Sequence, residues 1–137
     1  MKSRLIYWLT YAGMWLLALL PFRALYVLSD GFCFLMHYIV NYRRKVVRNN
    51  LHNAFPEKSE AELREIECKF YRYICDYMLE EVKMLRMSFK ELCRRMEYDN
   101  KEEYLAMIEK HGGIVLVIPH YANFEWITGM SSIMREG

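Results

Sequence analysis

The sequence predicts an α/β protein. Membrane-associated helices come first, followed by the opening, incomplete part of an α/β domain. Three observations lead there. Eighteen uncharged residues separate Arg4 from Arg23, a long amphipathic helix is written over 59–86, and a Gly112-Gly113 turn feeds the apolar run Ile114-Val115-Leu116-Val117-Ile118. Helix, glycine turn, buried strand and helix is the alternation that builds parallel sheets.

The 137 residues suffice for about one domain. The apolar fraction of 54% exceeds the globular average. Net charge is +2 overall, but residues 1–58 carry +6 and residues 59–137 carry −4. Such asymmetry suits a first part that meets an anionic surface. Cys33, Cys68, Cys75 and Cys93 form no C-x-x-C pair and have no histidine at ligand spacing. They read as reduced thiols in a cytosol-facing protein, and no metal is expected.

Taken in order, Leu5–Phe22 as a helix covers about 27 Å, at the short end of a bilayer span. Tyr7, Trp8 and Tyr11 resemble interfacial anchors. No A-x-A-like cleavage site follows, which argues against a removable signal peptide. A second apolar stretch, 24–42, contains Asp30, Gly31 and His37, and suits an interfacial helix or half of a hairpin better than a span. His37, among apolar neighbours, reads as packed rather than catalytic. The expected division is therefore a membrane anchor over 1–42 and the first part of the α/β domain over 43–137.

Arg43, Arg44, Lys45 and Arg48 follow the apolar region directly. A juxtamembrane cluster of this kind attracts anionic lipid by about 1 kcal/mol per basic residue. An ordinary solvated helix face is the plainer reading of each residue alone. Nucleic acid is disfavoured, because the adjoining segment is apolar and no nucleic-acid motif is present. Phe55-Pro56 closes that helix, and Ser59-Glu-Ala-Glu62 is a capping box for the next. Leu63, Ile66, Phe70, Ile74, Met78, Val82 and Leu85 then recur at helical spacing and are expected to face a core. Ser88 should cap a short helix over 88–95, 96–98 suits a short strand, and Asn100 should open a helix ending at His111. Gly112 supplies the left-handed stop.

The chemistry concentrates in Ile118-Pro-His120-Tyr-Ala-Asn123-Phe-Glu125-Trp126. Five residues apart on one helix, His120 and Glu125 would sit about 140° from each other, so they cannot both be helical and meet. With His120 in a loop and Asn123 as N-cap, Glu125 falls in the first turn, within reach of the ring. The carboxylate would then orient the imidazole and stabilise its protonated form, leaving the other nitrogen to take a proton. No serine or cysteine stands at nucleophile spacing and Gly-x-Ser-x-Gly is absent. The implied chemistry is direct activation of a hydroxyl. A buried histidine beside a glutamate that only complements a helix dipole fits the same residues.

The block Gly112-Gly113…His120-Tyr-Ala-Asn123-Phe-Glu125-Trp126 resembles the H-x4-[D/E] motif of the lysophospholipid acyltransferase superfamily. It is most similar to the bacterial lipid A biosynthesis (lauroyl/myristoyl) branch, whose motif commonly reads His-Phe-Gly-Asn-Trp-Glu. Arg43-Arg44-Lys45-Val46-Val47-Arg48-Asn49-Asn50-Leu51 and Ala54-Phe55-Pro56 resemble that branch's N-terminal signature. The resemblance implies an acyltransferase on the cytoplasmic face of the bacterial inner membrane. Its donor would be an acyl-carrier-protein or coenzyme A thioester, and its acceptor a hydroxyl of a lipid A precursor. His120 would be the base, Glu125 its partner, Asn123 a shaper of the site, and the basic cluster a substrate contact. No cofactor or metal is implied. Tyr121-Ala122 departs from Phe-Gly. Members of the branch are about twice this length, so the polypeptide is expected to be an inactive N-terminal portion. Transfer to a lysophospholipid or an amino-acid lipid keeps the chemistry with another acceptor. A non-enzymatic, membrane-anchored lipid- or partner-binding protein is the reading from a different class.

Overall fold

The computed structural model describes the backbone of residues 2–129 and the side chains of 3–127. The expected α/β fold is not observed: the described residues form helices and connecting loops, with no strand among them. Residues 114–118 are extended and open, with Val115 and Val117 91% and 89% exposed. A strand exists only through the ladder it makes with another. The other strand expected from the sequence, 96–98, is likewise irregular. An apolar run alone therefore did not make a sheet.

The chain divides into two compact units, 1–83 and 84–137. In the first, α1 spans Lys2–Leu19 and α2 spans Phe22–Phe34. Pro21 separates them, since the residue before proline is pushed out of helical geometry. The Pro21 carbonyl then accepts from the amides of Ala24 and Leu25 and starts α2. Lys83, near the end of α4 (Glu60–Met84), donates to the carbonyls of Ala18 and Leu20 at 2.8 and 2.7 Å. An ammonium there satisfies oxygens that a helix end leaves open. Tyr26 donates to Glu80 at 2.6 Å and ties α2 to the same helix.

α2 runs on into a π turn over Leu35–Ile39. Asn41 and Arg43, at φ of 53° and 51°, then bend the chain by 89° into α3, Arg44–Ala54. α4 opens on the expected capping box: Ser59 N donates to Glu62 at 2.9 Å, and Glu62 N donates back to Ser59 Oγ at 3.4 Å. Its inward stripe differs from the expected one. Leu63, Glu67, Tyr71 and Cys75 are buried, together with Ala18, Phe22, Leu25, Ser29 and His37. The phase is set by Glu67, whose three partners all lie on the inner side.

In the second unit, α5 (Phe89–Arg95) is capped by Ser88 Oγ, which accepts from Glu91 N at 3.2 Å. α6 (Lys101–His111) ends at Gly112, φ 75°, whose amide donates to Ile108 at 2.8 Å. Asn100 precedes α6 without a side-chain cap. A 3₁₀ turn over Phe124–Gly129 packs against α5, with Leu92 and Trp126 buried.

Among the described residues, no single helix is long and apolar enough to cross a membrane. The bent pair Phe22–Ile39 and Arg44–Ala54 meets the length and composition together. α1 nevertheless leaves Leu5, Ile6, Tyr7, Trp8 and Leu9 exposed.

Candidate active site

His120 lies in the loop before the 3₁₀ turn, and Glu125 lies in the first residues of that turn. Trp126 N donates to the Asn123 carbonyl at 3.0 Å, so Asn123 begins the turn as expected, although the turn is 3₁₀ rather than α. His120 is exposed, and its ring centroid lies 4.3 Å from that of Phe124, tilted by 50°. Asn123 and Glu125 are half-buried. The geometry joins His120 to Phe124.

The loop turns sharply beside the histidine. Tyr121 N donates to the Pro119 carbonyl at 2.9 Å, and Ala122 adopts φ 53°. Left-handed backbone at a residue with a Cβ costs about 1–2 kcal/mol. This gives the departure from Phe-Gly a physical meaning: the glycine of the common motif stands where positive φ is required. Ala122→Gly is expected to stabilise the chain by up to about 1 kcal/mol. Denaturant unfolding measures it, and a destabilised variant would show that the turn does not hold this conformation.

The basic cluster divides in two. Glu67, 1% exposed, accepts from Arg44 Nε at 2.7 Å and from Arg48 Nε at 3.0 Å. His37 Nε2 lies 3.3 Å from the same carboxylate, and its ring stacks on Tyr71 at 4.6 Å. Tyr71 in turn donates to the Tyr42 carbonyl. Burial pushes the Glu67 carboxyl up, but hydrogen bonds from Arg48 and Arg44 outweigh it and hold the group below the ordinary carboxylate range. Arg44 and Arg48 are thus structural partners of α4, whereas Arg43 and Lys45 have no ion-pair partner among the described residues. The apolar periodicity through Ile66 and Phe70 hides Glu67 in the sequence. The signal available was one acid spaced four residues from both Leu63 and Tyr71.

Burial pushes the Cys75 thiol up to about 11, with Cys33 adding to the effect. It stays protonated near neutrality and is a poor nucleophile.

The family profile described as bacterial lipid A biosynthesis acyltransferase matches residues 1–132. The chain belongs to this family. Over 122 residues it is 30% identical to the lipid A biosynthesis lauroyltransferase of Escherichia coli (strain K12), which covers 87% of this chain and 40% of that relative. This lipid A acyltransferase family member therefore spans well under half the length of the relative it matches. No solved structure gives a significant match.

Proposed function

We propose that the chain carries the catalytic base of an acyltransferase that moves a fatty acyl group from a thioester to a hydroxyl of a lipid A precursor. The observation that supports this most directly is His120 in a loop immediately before the turn bearing Glu125, in a chain of this family. His120 takes the proton of the acceptor hydroxyl as its oxygen attacks the thioester carbonyl. The tetrahedral adduct collapses, the C–S bond breaks, and the departing thiolate takes the proton back from the imidazolium. An ester and a free thiol result. Glu125 holds the ring in the tautomer this needs, and its charge stabilises the transient cation. The donor is an acyl-carrier-protein or coenzyme A thioester.

The site works beside a lipid surface in this reading, at the cytoplasmic face of the inner membrane. The exposed apolar side chains of α1 and the basic start of α3 support it. Mass spectrometry of lipids from cells lacking the gene tests acceptor and reaction together. Lipid A missing one acyl chain is the expected result, and unchanged lipid A with altered phospholipids would overturn the choice of acceptor. In cells that express it, the protein should pellet with membranes and resist an alkaline carbonate wash. Release by carbonate would rule out insertion.

A further inference from the structure

The apolar residues that recur along α4 do not all enter the core. Phe70 and Met78 are 40% and 51% exposed, and Ile74 is half-buried. They form one wall of a groove of about 440 Å³ within the 1–83 unit. Phe32 and Met36 face them from α2 and the π turn, and Val46 and Val47 from α3. This volume falls within the range of about 300–1,000 Å³ usual for small-ligand sites.

One end of the groove is cationic. Arg43 and Val46 line the groove and also border an adjoining open hollow of about 530 Å³, shared with Lys45, Arg44 and Arg48. Arg44 and Arg48 are committed to Glu67. Arg43 and Lys45 keep uncompensated charge at the hollow. The turn that places Arg43 there holds it at φ 51°, a conformation rarely kept by residues with a Cβ unless the surroundings impose it. An apolar slot opening on two uncompensated cations is complementary to an amphiphile, not to a second apolar protein surface.

We propose that this groove binds an amphiphile with one alkyl chain and a phosphate head. The chain lies along Phe70, Ile74 and Met78, and the head sits at Arg43 and Lys45. A guanidinium offers paired donors to phosphate oxygens, and an ammonium adds a second point charge that a dianion can use. The proposal rests on the lipid context of the function proposed above, but not on His120, which lies in the other unit.

The test is photolabelling of the whole 137-residue chain in maltoside micelles with monododecyl phosphate bearing a diazirine near its methyl end. Cross-links should map to peptides carrying Val46–Val47 and Phe70–Met78. The matching dodecanol probe should label about tenfold less, as loss of a charge-assisted phosphate contact implies. Arg43→Gln with Lys45→Gln should bring phosphate labelling down to the alcohol level. Val46→Trp, at an exposed position, should block both probes while circular dichroism shows unchanged helicity. Equal labelling by the two probes, or labelling indifferent to either variant, would overturn the proposal. So would competition by inorganic phosphate as strong as that by unlabelled dodecyl phosphate, because the alkyl chain would then contribute nothing. His120→Ala should lose acyl transfer in the protein expressed from its own gene and keep this labelling in the 137-residue chain, so failure of the groove and failure of the catalytic reading give different results.

Discussion

Acyl transfer is expected to fall by about 10²–10⁴-fold when His120 is replaced by Ala, the range that removal of a positioned general base produces. The loss should appear in kcat with little change in KM, because an alanine leaves acceptor and donor contacts in place while removing the group that takes the proton. Glu125→Gln should cost less. An amide still accepts a hydrogen bond from the ring, but it brings no charge to stabilise the imidazolium. The measurement is transfer of a labelled acyl chain to a lipid A precursor by the protein expressed from its own gene, with either substitution introduced there. Transfer that survives His120→Ala would sink the catalytic proposal and leave the histidine as a loop residue packed on Phe124. Loss of transfer accompanied by loss of helicity would point to the same conclusion.

Glu67→Ala is expected to destabilise the 1–83 unit by about 3 kcal/mol, near the lower end for breaking a buried charge cluster, since its arginine partners keep a third or so of their surface in water. For a unit of this size, that corresponds to a fall in Tm of more than about 10 °C. The sign of the pH dependence follows from the depressed Glu67 carboxyl. Its stabilisation is complete above the unfolded-state value of about 4.3 and is lost as pH falls through the lower folded-state value. The variant should therefore lose much of the wild type's acid-side decline. A triple change, Glu67→Met with Arg44→Met and Arg48→Met, should recover part of the stability, because replacing the carboxylate and both arginines by apolar groups removes their desolvation cost along with the attraction, while buried His37 still loses its partner. If the triple variant is no better than Glu67→Ala, the cluster is not what holds α3 to α4.

The local features were legible in the sequence because they depend on neighbours in the chain. Ser59 and Glu62 close their capping box within one turn, Ser88 caps α5, and Gly112 takes the left-handed stop, whereas Pro21 ends α1 inside the stretch expected to be one helix over Leu5–Phe22. The start of the 3₁₀ turn at Asn123, with Glu125 in its first residues, was also foreseeable from the angular spacing on a helix. The apolar run 114–118 misled because hydrophobicity marks a segment able to be a strand, while pairing alone makes it one.

By itself, then, the sequence determined the capping box of α4, the Ser88 cap, the left-handed stop at Gly112, the loop that presents His120, and the family. Each rests on short-range chemistry or on residue identity. Only the tertiary structure decided which of four adjacent basic residues are structural and which side of α4 is inward. Both follow from one buried carboxylate: Glu67 cannot leave water without partners, so α4 turns it toward Arg44 and Arg48. That rotation leaves Phe70, Ile74 and Met78 lining an open groove and keeps Arg43 and Lys45 free of the cluster.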